Sequence, residues 1–403
     1  MDGVLHKDPP AQTDSHRQAL GFLSAGDGRE IATWSGTPYF MAQALAPHFS
    51  DVVHLGPIAP LFSKMSAAAG HLAHAVTGQT YLRHANPFAY HVNRLSARAR
   101  VRGAAPAIVF APAGSSLIGG VPKGVSVVYC TDATFRLMVD YYPEFSKLSR
   151  TTLRTGERLE AEAIARSDVL VYSSAWAARS AIEDYGADPG RVHVIPFGAN
   201  LTDPPHRRDL KRAADVGTGK GGAVLRLLFV GKQWQRKGGD LALAAMQSLR
   251  QRGYNARLTV LGCQPPLDTP VEGLDVAGFL DKSDPEQNRR FAQYFLDADL
   301  YLMPVRAECS AIAFCEAAAY GLPVISCDTG GTGTVVQAGR SGLLLPPGSD
   351  GIAYADLIER AVADPGLMVR LREGARRRYE EVLNWPAWGL GVANAVRAHL
   401  GSG

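Results

Sequence analysis

Residues 308–331 read ECSAIAFCEAAAYGLPVISCDTGG. Two glutamates, Glu308 and Glu316, bracket a run of small and apolar residues, and an apolar stretch follows. Carboxylates are rarely buried without a partner. Either Glu308 is a solvated loop residue and Glu316 the polar face of an amphipathic helix, or both carboxylates meet a polar ligand. DLYLMP (299–304) reads as a strand, SAIAFCEAAAYG (310–321) as a helix ending at Gly321, and PVISCD (323–328) as the next strand. Ser310 is a fair N-cap. Ala313, three residues on, gives no capping box. A helix running from about Ala311 presents unpaired N–H groups and the positive end of its dipole, an anion site suited to phosphate. Glu316 falls one to two turns into that helix, near the same mouth. Carboxylates repel phosphate, so their natural partners there are hydroxyls. A molecule carrying both phosphates and many hydroxyls is a nucleotide sugar.

Working outward, the second half of the chain alternates between strand and helix. LRLLFVG (225–231), ARLTVLG (256–262) and LDVAGF (274–279) read as strands. GGDLALAAMQSLRQRG (238–253) and DPEQNRRFAQYFLDA (284–298) read as helices, the latter with Asp284 as its cap and Pro285 in its first position. The strands are continuous apolar runs, as expected when both faces are covered, so the pattern predicts an α/β fold with a doubly wound parallel sheet. The first half offers EIATWSG, DVVHLGP, AIVFAP, VSVVYCTD, VLVYSS and VHVIPF as strands. The polar run 198–223, with Pro-Pro and a Gly-rich end, reads as a linker. The expected organisation is two Rossmann-like units, 1–200 and 201–385, facing each other across a cleft. Ligands of such sheets bind at the carboxyl ends of the strands.

LLFVGKQWQRKGGD (227–240) is a strand, a glycine turn and a helix start. Lys232 follows Gly231, and Lys237 precedes Gly238 and Gly239, an order that describes a phosphate clamp. Arg236 is a third cation or a solvated neighbour. Alone, such a run is more often a solvated helix start; its occurrence upstream of the Glu308–Glu316 pair on one sheet is what makes it specific.

At 403 residues the chain is long enough for two cores. A net charge of +4 does not mark a nucleic-acid binder. Five scattered cysteines without CxxC favour a reducing, cytoplasmic setting. The polar start MDGVLHKDPPAQTDSHRQAL has no apolar signal region, and no apolar run approaches the roughly 18 residues of a membrane span. From Val52 to Thr131 there is no Asp or Glu, whereas Lys64, Arg83, Arg94, Arg98, Arg100, Arg102, Lys123 and five histidines lie there. Such a single-sign field suits an acidic partner, for instance an anionic membrane leaflet, where each cation contributes roughly 1 kcal/mol; the alternative is a solvated helical face. GTGKGG (217–222) fails the P-loop spacing because Ala214 stands where glycine is needed. GGTGTVV (330–336) lacks GxGxxG spacing, and its Gly-Gly is expected to let the backbone approach a bound sugar.

The E-x7-E element of Glu308 and Glu316, with GKQWQRKGG upstream, AYGLPVISCDTGG and SGLLLPPGSD downstream, resembles the retaining GT-B glycosyltransferases of the GT4 family, the group 1 glycosyl transferases. The likeness covers about 170–384, and SGTPYFMAQAL (35–45) is similar to the family's first strand, glycine loop and helix. It implies that Lys232 and Lys237 hold the donor diphosphate. Glu308 would lie near the donor sugar hydroxyls, Glu316 on the ribose and Phe279 by the base. Gly36 would lie near the nucleotide sugar, with the backbone N–H groups of Ser310 and Ala311, and neighbouring Ile312, facing the sugar or phosphate. Asn384-Trp385 and the helix after it resemble the crossover element that returns to the first domain, over about 386–403; otherwise Trp385 is a plain core residue.

Three departures stand out. The family often has a Gly-Phe-Gly-like run after the first glutamate; here Cys309-Ser310-Ala311 predicts ordinary backbone angles. Lys232 stands where arginine is common, without a bidentate contact. A His-Asp pair common in the family is Thr131-Asp132 here, so Asp132 is either an acceptor-side group, even a base, or the N-cap of a helix ATFRLMVDYY. The implied reaction moves a sugar from a nucleotide-diphosphate sugar to a hydroxyl of a saccharide or lipid-linked acceptor with retention, needing no metal and no other cofactor. The competing readings are a nucleotide-sugar 2-epimerase and a degenerate subunit that only binds.

Overall fold

The protein is described by a computed structural model over residues 18–31 and 33–401. The twelve strands among the described residues are short, apolar and all paired in parallel. The first sheet is built from β1 (Leu20–Phe22), β2 (Val52–His54), β3 (Ile108–Pro112), β4 (Ser126–Thr131), β5 (Val169–Tyr172) and β6 (Val192–Val194), in the order β2-β1-β3-β4-β5-β6. The second comprises β7 (Leu225–Val230), β8 (Ala256–Leu261), β9 (Leu274–Gly278), β10 (Leu300–Met303), β11 (Val324–Cys327) and β12 (Gly342–Leu345), in the order β12-β11-β10-β7-β8-β9. β3, β5, β10 and β11 are buried at every residue. Helices cover both faces of each sheet, which is why these strands are apolar without alternation.

The strand expected at EIATWSG is not one. Residues 33–36 form a 3-10 turn, and the first strand is LGF at 20–22, buried throughout between β2 and β3. EIATWSG opens with a charge and exposes Ile31, so it does not suit a position covered on both faces. The helix Thr37–Leu45 follows as expected. Asp284 does cap the helix Pro285–Asp297, accepting from the N–H groups of Glu286 and Gln287.

The 198–223 run is tied down. Asp299, wholly buried at the start of β10, accepts from the N–H groups of Gly217 at 3.1 Å and Arg226 at 2.7 Å and pairs with Lys211. Arg372 in turn donates to the Lys211 carbonyl at 2.9 Å. A buried carboxylate is tolerable only when satisfied in this way. The helix Trp385–Leu400 returns to the first sheet: Trp388 packs edge-on to Phe110 at 5.8 Å, and Trp385 stacks with Phe197 and Phe40.

Candidate active site

In the second sheet the chain runs outward from β7 through β9, then returns to place β10 on the other side of β7. That reversal leaves a crevice at the carboxyl ends of β7 and β10, the place where open α/β sheets take ligands. The loop after β7 carries Lys232, Arg236 and Lys237; the loop after β10 carries Glu308. Glu308 is only 6% exposed, and its Oε2 pairs with Lys237 and lies 3.7 Å from Arg236. Arg236 is itself fixed, donating to the Ala307 carbonyl at 2.8 Å with its guanidinium 4.5 Å above the Tyr142 ring. Burial by itself would raise the Glu308 carboxyl, but Lys237 and Arg236 outweigh it and hold it below the ordinary value.

Glu308 also closes the start of the next helix, Ile312–Ala319: its Oε1 accepts the Ala311 N–H at 3.2 Å. Three expectations change here. Ser310 is not the N-cap; Ala311 holds that position and has no side-chain cap of its own. Nor does the loop use ordinary angles, because Ala311 sits at φ 36, in the left-handed region. The Ala311 N–H, expected to face a ligand, is spent on Glu308. Among the described residues no acceptor is found for the N–H groups of Ser310, Ile312 and Ala313. The Ile312 side chain packs against the aromatic cluster of Phe197 and Trp385.

From the first sheet, Asp132 follows the end of β4 and faces this loop, the Ser310 hydroxyl lying 3.5 Å from its Oδ2. It is not a helix N-cap: the helix there is Phe135–Met138, with Thr134 before it. Burial, and then the charge of Glu308, push the Asp132 carboxyl up to about 6.

Glu316 lies one helical turn further in, buried, and accepts from Lys282 Nζ at 2.6 Å; Lys282 also donates to the Asn200 carbonyl at 3.1 Å. Lys232 is exposed, its ammonium 5.3 Å above the ring of Phe279, which is 63% exposed. Among the predicted residues, contacts bring together one cluster and two separate pairs. Glu308, Lys237, Asp132, Ser310 and Ala311 form the cluster; Glu316 with Lys282, and Lys232 over Phe279, make the two pairs. Gly36 has φ 87 before the Thr37–Leu45 helix, beside Ile31 and Phe40.

Sequence reasoning missed Lys282 and the two tyrosines that bind the Glu308 loop from the first sheet. Tyr141 Oη accepts the Glu308 N–H at 2.9 Å, and Tyr142 Oη accepts the Cys309 N–H at 3.1 Å. The run ATFRLMVDYY looked helical to its end, whereas the helix stops at Met138 and Asp140 turns left-handed. Gly330 and Gly331 pack closely against this loop. The Gly331 N–H donates to the Glu308 carbonyl at 3.0 Å, and a Cβ on Gly330, at φ 55, would collide with that carbonyl and the Tyr141 hydroxyl.

Two facing parallel sheets with a ligand crevice between their carboxyl ends define the GT-B architecture, and solved structures agree. Sucrose-phosphate synthase from Thermosynechococcus elongatus superposes with a TM-score of 0.68 at 18% identity, over 96% of this chain and 100% of that one. The Anabaena protein HepE in complex with UDP-glucose gives 0.60 at 14% identity, over 94% and 100%. Residues 225–364 match the sequence family described as glycosyl transferases group 1. The D-inositol 3-phosphate glycosyltransferase of Frankia alni is 32% identical over 280 residues, 63% of this chain and 67% of that protein. Its namesake from Xylanimonas cellulosilytica is 33% identical over 228 residues, 54% of each chain. This chain belongs to the group 1 glycosyl transferases, and it spans about half the length of most of the curated relatives it matches.

Proposed function

We propose that the protein is a retaining glycosyltransferase that moves a sugar from a nucleotide-diphosphate sugar to an acceptor hydroxyl. The observation that carries this is Glu308: a buried carboxylate held between Lys237, Arg236 and a helix start, at the crevice between β7 and β10. In this reading Lys237 and Lys232 take the diphosphate, with the amides of Ser310 and Ile312 aimed at phosphate or sugar. As the glycosidic C–O bond breaks, charge builds on the β-phosphate, and fixed cations and amide dipoles stabilise it without reorganising. Glu308 accepts from sugar hydroxyls, exchanging its contact with Lys237 for the ligand. Glu316 and Lys282 hold the ribose end, and the exposed ring of Phe279 meets the base. No metal and no further cofactor belongs to this scheme.

Asp132 faces the sugar from the acceptor side. A carboxyl near 6 is mostly ionised at neutrality yet basic enough to take up a proton, suited to receiving the acceptor proton or stabilising positive charge at the anomeric carbon. We place the division between the two halves near residue 200, with the helix Trp385–Leu400 returned to the first. The acceptor meets the first half and is a hydroxyl-rich saccharide or a lipid-linked one; the relatives' name, with D-inositol 3-phosphate in it, favours a polyol. Peripheral contact of the basic first half with an anionic membrane belongs to the same reading, as does a cytoplasmic location.

The test is to incubate the protein with UDP-, GDP-, ADP- and TDP-sugars and polyol acceptors, and to read the new glycosidic bond by NMR. The expected product keeps the donor's anomeric configuration. An inverted product, or free epimerised sugar without transfer, would overturn the reading.

A further inference from the structure

Arg236 stands between the two halves, with only 16% of its side chain open to solvent. Its guanidinium is held on three sides. Nη1 donates to the Ala307 carbonyl at 2.8 Å and lies 3.7 Å from Glu308 Oε2. Nε donates to the Gln233 side chain, which itself donates to Glu144 of the first half at 2.8 Å. The ring of Tyr142, also from the first half, lies 4.5 Å from the guanidinium carbon. A planar fork engaged in this way is not free to swing toward a ligand.

Lys237 is held differently. Among the described residues its ammonium has one partner, the Glu308 carboxylate, at the end of a flexible four-carbon stem. A diphosphate entering the crevice competes for that ammonium and draws it from Glu308. The carboxylate left behind is buried, and a buried charge without a counter-ion takes up a proton instead. The titratable and charged groups facing Glu308 are Lys237 and Arg236 after β7, Asp132 after β4, Tyr141 and Tyr142 from the first half, Tyr301 on β10, and Cys309 and Cys315. Burial keeps the phenols and thiols neutral, and Asp132 repels. With Lys237 on phosphate, Arg236 is the cation of this set that remains.

We propose that Arg236 is a positioning residue, the fixed counter-ion of Glu308: it stays with the carboxylate when the donor diphosphate takes Lys237, and so keeps Glu308 ionised for the hydroxyls of the donor sugar. This rests on the nucleotide-sugar reading of the crevice. It goes beyond that reading by dividing the cations into a mobile one that follows the ligand and a fixed one that does not. Ionised acceptors hold hydroxyls more strongly than neutral ones, so the fixed charge acts on the sugar rather than on the diphosphate. Contacts from both halves, the Tyr142 ring and the Glu144–Gln233 bond, set where that charge sits.

Calorimetric titration with UDP, GDP, ADP and TDP, and with their sugar conjugates, from pH 5 to pH 8, tests it. Variant affinity is read against wild type at each pH, which cancels the titration of the ligand. Arg236→Gln is expected to bind the sugar conjugate progressively worse as pH falls, by about tenfold at the acid end, where it matches Glu308→Gln. Its affinity for the diphosphate alone is not expected to weaken in this way. Arg236→Lys returns the charge without the planar fork, and any loss it carries is expected to be the same at every pH. Equal, pH-independent losses in the Gln and Lys variants would mark a merely structural role and overturn the proposal, as would a Lys variant that weakens with acidity. Wild-type titrations near pH 7.5 in buffers of different ionisation enthalpy decide the matter if Arg236→Gln does not fold by circular dichroism. No net proton uptake with the sugar conjugate is expected, and uptake approaching one proton would overturn the proposal. A wild type that binds none of these ligands overturns the donor-site reading and this inference together; binding that Arg236→Gln leaves unchanged overturns the inference alone.

Discussion

The Tyr141 hydroxyl, carried by the first sheet, accepts a hydrogen bond from the backbone N–H of Glu308, carried by the second, at 2.9 Å, and lies 3.2 Å from the Thr329 hydroxyl. The glutamate loop is thus positioned from across the cleft. Tyr141→Phe keeps the ring and leaves the Glu308 N–H without its acceptor, at a cost of about 1–3 kcal/mol. Transfer rates measured with saturating acceptor are expected to fall about tenfold, since roughly 1.4 kcal/mol corresponds to that factor. Unchanged kinetics would show that the loop holds its shape unaided.

Ala311 sits at φ 36, where an L-residue is strained by roughly 1–2 kcal/mol. Ala311→Gly relieves that strain but gives the unfolded chain more freedom. The net expectation is stabilisation by about 1 kcal/mol, seen as a higher urea midpoint at unchanged m. A lower midpoint would mean that the residue leaves the left-handed region in solution.

Asp132 binds its proton more tightly when folded, with a carboxyl near 6 against an ordinary 3.8. The stability it contributes is therefore full below pH 3.8 and lost as pH rises toward 6, a change of about 3 kcal/mol. Asp132→Asn should flatten that part of the stability profile. In the transfer reaction, the same substitution should remove a rise in rate centred near pH 6. A wild-type rate that is flat from pH 5 to 7 would exclude Asp132 from the chemistry.

Glu160 offers a second titration away from the cleft. It is buried, accepts from the Tyr129 hydroxyl at 3.1 Å, and burial pushes its carboxyl up to about 8. Here too the folded form favours the proton, so stability falls as pH rises from 4.5 toward 8. Glu160→Gln keeps an acceptor for Tyr129 and removes the titration. The variant should gain on wild type between pH 6 and pH 8 in urea unfolding, and an identical pH dependence would contradict the assignment.

What the sequence reveals follows how local each signal is. The strands of the second half are apolar blocks between glycine turns and are readable as such. The Lys237 and Glu308 motifs are each short and contiguous, and their chain order on one sheet forces them to one crevice although 71 residues separate them. β1 is three residues long and gives no periodicity to count, so a longer alternating run nearby is mistaken for it. Tyr141 meets Glu308 across 167 residues through a hydroxyl and an amide, a contact with no sequence pattern of its own. Lys282 is one cation in a polar loop, and only the folded chain sets it against Glu316. Ala311 is illegible for the opposite reason: intrinsic preference argues against the conformation that Glu308, Gly330 and the tyrosines impose.

The central claim is that Lys237, Lys232, Glu308 and Glu316 form one nucleotide-sugar site. It is tested most directly by thermal shift of wild-type protein and of Lys237→Ala and Glu316→Ala, each titrated with UDP-, GDP-, ADP- and TDP-sugars. Selective binding to the folded state raises stability by about 2.7 kcal/mol at a hundredfold excess over Kd. The expected result is a saturable rise with one nucleotide class that both substitutions reduce at least tenfold in affinity while the ligand-free proteins remain folded. A wild-type protein that responds to none of the four, or variants that respond as strongly as wild type, would contradict the account.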